Sequence, residues 1–146
     1  MSNIHLIASD DINGLNAGVF LIRVHPWSLN FIMRAMSYSY YVRDKGLKYA
    51  DQSSMNNVLV GDEELDHYII VPQNWFNSYI GLNKSGDFLL HLAGHVNKDD
   101  EAETFRDHIK NDSSWYGKTS KAMRKEVLKY YRLSSEEQHH IKIERK

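Results

Sequence analysis

Cysteine is absent from the 146-residue chain. That excludes a disulfide framework and any cysteine-ligated zinc. An excess of charge of either sign is absent as well, the formal net charge being −1. A nucleic-acid backbone calls for a basic field, so no nucleic-acid partner is expected. Lys118, Lys121, Arg124 and Lys125 do cluster locally, but on a predicted helix where a solvated face accounts for them. No apolar run approaches the ~20 residues of a membrane helix, so no membrane segment is expected here. The start, Met1-Ser2-Asn3, carries no basic residue and Asp10-Asp11 interrupts the apolar run that follows. It does not read as a signal peptide, and any membrane anchor is expected outside these residues. Also missing are G-x-G-x-x-G, the Walker loop, and any recognisable Ser-His-Asp or Cys-His arrangement.

What is present suits one domain, or the larger part of one. Apolar residues make up 42% and charged residues 25%, with nine tyrosines and three tryptophans to build a core. The pattern predicts strands over 4–8 and 17–23, separated by a turn-rich connector over 10–16. A helix follows from His25-Pro26-Trp27-Ser28 to about Arg43, since proline suits a first helical turn. A shorter helix starts at Asp51, with Met55, Val58 and Leu59 at helical spacing and Gly61 as its stop. Strands are expected over 68–71, halted by Pro72, and over 87–92. Beyond Asp99 the chain turns polar and helical, over 100–110 and 114–132, and Ser134 with Glu137 suggests a capping box for a last helix. Short strands alternating with helices give an α/β class.

Several residues bear chemistry, each with two readings. Asn13-Gly14-Leu15-Asn16-Ala17-Gly18 is either a tight turn or a place where backbone and amides approach a ligand. Asp51-Gln52 at a helix start serves as a cap, or its paired donors and acceptors bind sugar hydroxyls. His91, in the apolar run Phe88-Leu89-Leu90-His91-Leu92, is a hydrogen-bonded core histidine or a metal ligand. His139-His140 lies in a polar stretch and reads as a solvated pair rather than zinc ligands. Trp75-Phe76-Asn77-Ser78-Tyr79 suits a sugar face or a packed loop.

Four segments together resemble glycosyltransferase family 34, the galactosyl- and mannosyltransferases of fungal Golgi with plant xyloglucan xylosyltransferase relatives. They are Asn13 to Arg23, Asp51-Gln52-Ser53, Val71 to Tyr79, and His91-Leu92-Ala93-Gly94, in the family's order and spacing over about Ile4 to Lys110. The resemblance implies a GT-A fold, a Rossmann-like α/β sandwich that uses Mn²⁺ and a nucleotide sugar. It implies a lumenal Golgi membrane enzyme that transfers mannose or galactose, from GDP-mannose or UDP-galactose, to a glycan acceptor with retention of configuration. By the same resemblance Asp51 and Gln52 are catalytic, facing donor sugar and acceptor hydroxyl. Asn16 and Gly18 line the donor pocket, Asn77 lies on the acceptor side, Gly94 admits the diphosphate, and His91 is a metal ligand. Mn²⁺ takes imidazole and carboxylate together, which fits those residue types.

The chain departs from the family in three places. Only twelve residues precede Asn13, Asp10-Asp11 is not the family's Asp-x-Asp metal motif, and that motif is expected upstream. His95 stands where relatives often carry cysteine, and Lys98 is the nearest match to a basic residue that some relatives place soon after. The expectation is therefore a partial GT-A fold lacking the N-terminal nucleotide-binding part. Residues 1–112 form the C-terminal part of the catalytic domain and 113–146 a polar helical extension. Two functions compete: a hexosyltransferase domain, and a non-catalytic pseudoenzyme or partner subunit of a Golgi mannosyltransferase complex. A small α/β binding domain unrelated to the family is a distant third.

Overall fold

A computed structural model describes residues 3–42, 47–61, 64–134 and 137. Their contacts form two compact units, one made of the described residues up to Pro72 and the other of those from Gln73 onward. Helices and strands occur in both, in keeping with the expected mixed α/β class.

In the first unit, β1 (Leu6–Asp11) lies between β2 (Gly14–Ile22) and β3 (Tyr68–Val71). It pairs antiparallel with β2 and parallel with β3. The expected connector over 10–16 is a correction: only Ile12 and Asn13 turn, and β1 continues to Asp11 while β2 begins at Gly14. The cause is local hydrogen bonding that a count of turn-forming residues misses. The Asp11 carboxylate accepts from Asn13 N at 2.6 Å and from Asn16 Nδ2 at 2.8 Å, and Gly14 takes φ 103°, a left-handed value that glycine adopts at little cost. The register then slips: Ala8 faces Phe20 but Ser9 faces Asn16, so Ala17, Gly18 and Val19 bulge out of the ladder.

The first helix, α1 (Pro26–Tyr41), has its proline in the first turn as expected, and buries Ser28, Phe31 and Ala35. Its outer face leaves Leu29, Met33, Met36 and Tyr40 exposed. Glu64 holds it from outside the helix, accepting from Trp27 Nε1 at 2.8 Å and from Arg34 Nη2 at 2.6 Å. Next comes α2 (Ala50–Gly61), buried along seven consecutive residues, Ser53 to Leu59. Phe31, Leu6, Leu15 and Leu59 are fully enclosed, each contributing about 1.5–3 kcal/mol by apolar burial. Leu6 and Ile70 belong to the core, whereas Leu21 is exposed.

The second unit is built more loosely. A 3₁₀ turn, Gln73–Trp75, leads to β4 (Ser78–Tyr79), which pairs parallel with β5 (Leu90–His91). The strand expected over 87–92 shrinks to these two residues because Asp87 serves the turn, its carboxylate accepting from Ser78 Oγ at 2.6 Å and Lys84 N at 2.9 Å. Then come α3 (Lys98–Asn111) and α4 (Ser120–Tyr131). Asp99, Asp100 and Glu101 open α3, and His108 and Lys110 close it, a charge order that suits the helix dipole. The helix expected over 114–132 divides instead, because Asp112 caps a 3₁₀ turn at Ser113–Trp115 and Thr119 caps α4. Tyr130 is buried edge-on against Trp75, ring centroids 5.2 Å apart. Ser134 and Glu137 do form the reciprocal capping box, but the helix expected after it, with His139-His140, lies outside the described residues. Among the described residues no helix is long and apolar enough to cross a membrane.

These packing contrasts give a stability test. Phe31→Ala is expected to cost roughly 3–5 kcal/mol by opening a core cavity, and exposed Met33→Ala within about 0.5 kcal/mol. Denaturant unfolding of the two variants checks it.

Candidate functional site

β2 is an edge strand that bulges at Ala17–Val19, and α2 supplies partners for its outward N–H groups. Asn56 Oδ1 accepts from Leu15 N at 3.3 Å, and Gln52 Oε1 accepts from Ala17 N at 3.3 Å. The geometry matches by construction. Residues four apart on a helix rise about 6 Å, and residues two apart on a strand rise about 6.6 Å. Asn16 Oδ1 takes the next amide, Gly18 N, at 2.9 Å, and Tyr49 Oη donates to Asn13 Oδ1 at 2.7 Å. Thus the structure joins the Asn16–Gly18 segment to Gln52 through the Ala17 amide, while the carboxylate of Asp51, next to Gln52, bonds only to the Gln52 backbone N–H among the described residues.

Asp51 is exposed. Its Oδ1 accepts from Gln52 N at 2.9 Å, and Ala50 just before it takes φ 37°. A left-handed, non-glycine residue is strained. The turn's closing partner is Ser53, whose Oγ accepts from Tyr49 N at 3.0 Å. Beside Asp51 opens a cleft of about 460 Å³, lined mainly by Phe20, Ile32, Met36, Leu47 and Met55. A single carboxylate at the rim of an apolar cleft can orient a ligand's polar end while the walls take its apolar part.

In the second unit His91 and Asn77 meet. Asn77 is fully buried, and its Oδ1 lies 2.6 Å from His91 Nδ1. An amide oxygen only accepts, so Nδ1 carries the proton and the lone pair of the ring sits on Nε2. Tyr79 packs edge-on to the imidazole at 5.4 Å. Gly94 follows in an exposed turn with φ 74°, where a side chain would meet open space but a strained backbone. His95, four residues beyond the end of β5, pairs with Glu101 at 2.7 Å.

The fit to a manganese ion is incomplete. Among the described residues no three His, Cys, Asp or Glu side chains converge on one point, and one imidazole does not hold Mn²⁺ by itself. No reaction step is therefore derived through the metal.

Sequence reasoning passed over Tyr49, Asn56 and Asn57. The signal was available: Gln52 and Asn56 stand one turn apart on a helix with apolar Met55 and Leu59 around them, a place where amides survive only when satisfied.

The chain is thus a mixed α/β protein in which side-chain amides of a helix bridge to the edge of a bulged strand. The profile of the galactosyl transferase GMA12/MNN10 family matches residues 1–102, and the chain belongs to that family. No curated protein and no solved structure matches it.

The His91 geometry is open to a direct check. Nitrogen-detected NMR is expected to show the Nδ1–H tautomer for His91, and a mixture of tautomers in Asn77→Ala. A mixture already present in the unmodified protein would remove the Asn77–His91 bond from the account.

Proposed function

We propose that the chain is a non-catalytic member of its glycosyltransferase family, a partner subunit of a Golgi mannosyltransferase complex. The observation behind this reading is the ligand set: among the described residues no three His, Cys, Asp or Glu side chains gather where a metal could be held, whereas the family's reaction needs a divalent cation to neutralise the leaving diphosphate. The backbone N–H groups of Leu15, Ala17 and Gly18 add support, because they are taken up by the chain's own side chains, Asn56, Gln52 and Asn16. A subunit of this kind keeps the fold as a recognition surface. In this reading residues 1–112 correspond to the later, C-terminal part of a GT-A, Rossmann-like domain and 113–146 to a polar helical extension, in the Golgi lumen.

One observation favours a second reading, a retaining hexosyltransferase. Asn77 orients His91 with Nε2 as the lone-pair nitrogen, the arrangement by which outer hydrogen bonds prepare an imidazole to ligate a metal. In that case Asp51 and Gln52 face the donor sugar and acceptor hydroxyl, Asn16 and Gly18 line the donor pocket, Asn77 lies toward the acceptor, and Gly94 admits the diphosphate. Carboxylates from elsewhere in the domain complete the Mn²⁺ site, and the donor is GDP-mannose or UDP-galactose.

The two readings part in one assay. Purified chain with Mn²⁺ and either nucleotide sugar is expected to release nucleoside diphosphate only at background. Co-expression with an active transferase of the family is expected to yield a co-purifying pair. Turnover by the chain alone at about 1 s⁻¹ or faster, an ordinary enzymatic rate, sinks the subunit reading.

A further inference from the structure

Three histidines far apart in sequence meet at the start of α1. His5 precedes β1, His25 is the residue before Pro26, and His67 precedes β3. The His5 and His25 rings stack with centroids 4.0 Å apart and planes 11° apart. His5 also lies 5.3 Å from His67 and 5.5 Å from Trp27, and Trp27 stacks on Phe31 at 5.2 Å. Backbone bonds fasten the same corner: His5 N and Leu6 N both donate to His67 O, and Arg23 N donates to His5 O.

Neutral rings are built into this arrangement. His25 is the N-cap of α1, and its Nδ1 accepts from Trp27 N at 3.2 Å. An imidazole accepts only while that nitrogen is unprotonated. A proton there removes the cap and sets a cation at the positive end of the helix dipole. His5 is 8% exposed, and its Nδ1 is buried without a hydrogen-bond partner. Parallel stacked rings do not aim their nitrogens at a common point, and among the described residues no metal-holding group forms.

Charges of both signs surround the stack. Arg23 comes from the end of β2, Arg34 from α1, and Glu64 and His67 from the segment before β3. Glu64 is engaged by Trp27 and Arg34, and its carboxylate lies 3.9 Å from His67 Nε2.

We propose that His5 and His25, stacked beside His67, form an acid-released clasp. They hold the first turn of α1 against the sheet while neutral and free it when they take up protons. Burial, then the neighbouring His25, Arg23 and His67, holds the His5 imidazole below its ordinary 6.5. A depressed value means that the folded state resists the proton. The stability is complete above pH 6.5 and is lost as pH falls through the imidazole range. For Glu64, burial pushes upward but is outweighed by the hydrogen bonds from Trp27 and Arg34, with the charges of Arg34 and His67, so it sits below its ordinary 4.5. Its contribution survives until more acid conditions, which leaves the window between the two to the histidines.

The experiment uses the full chain at about pH 7.5 and about pH 5.5, within reach of imidazole titration. It reads the hydrogen-exchange protection of the Trp27 amide, corrected for intrinsic rates, together with the thermal midpoint. Acidification is expected to lower the protection at Trp27 about fivefold or more and the midpoint by roughly 3 °C. His25→Asn keeps a cap acceptor that does not titrate and is expected to retain Trp27 protection at both pH values. His5→Phe keeps a stacking ring without a proton site and is expected to reduce the midpoint shift by about half. Unchanged Trp27 protection across the pH range, or the same loss in His25→Asn as in the unmodified chain, overturns the clasp.

Discussion

Two side-chain amides on one helix, bound to two backbone N–H groups on one strand edge, set the shape of the first unit. Without Asn56 and Gln52, the Leu15 amide on the outer edge of β2 and the Ala17 amide in its bulge would lose these partners. Each unpaired buried donor costs about 1–3 kcal/mol. The bulge is tolerated because α2 lies along the edge and satisfies it, which also closes that edge to pairing with another chain. The helix in turn can be buried along Ser53 to Leu59, although four of those residues are Ser or Asn, because such amides and hydroxyls find partners inside. Ser54 Oγ, for one, donates to Ala50 O.

That single constraint also gathers the residues of functional interest. Asn16 and Gly18 belong to the bulged segment, and Gln52 is one of the two amides that fix it. Asp51 stands beside Gln52 at the strained entry to α2. Family membership supplies the glycosyltransferase lineage, and the lack of a three-ligand metal group among the described residues supplies the reason for reading this chain as a subunit.

Much of the architecture was legible in the residues. Pro26 at a first helical turn, the apolar spacing of Met55, Val58 and Leu59, and the run before Pro72 marked α1, α2 and β3. The Asp11–Gly14 hairpin was not legible as strand, because Asp, Asn and Gly read as a loop while their side chains serve a two-residue turn. The 87–92 segment carried an apolar pattern, yet Asp87 spends its carboxylate on the turn and leaves two residues of strand. Of the site, the grouping of Asn16, Gly18 and Gln52 was legible only through the family resemblance. The pairing of Asn77 with His91 joins residues fourteen apart, and the histidine stack joins residues 5, 25 and 67. No periodicity records contacts of that kind.

Residue-resolved amide hydrogen exchange of Leu15 and Ala17 tests the central interaction most directly. Both amides are predicted to be protected in the unmodified chain, with Asn56→Leu releasing Leu15 and Gln52→Leu releasing Ala17, each largely without the other. Solvent-like exchange at both amides in the unmodified chain, while Leu6 and Ile70 stay protected, would contradict the account.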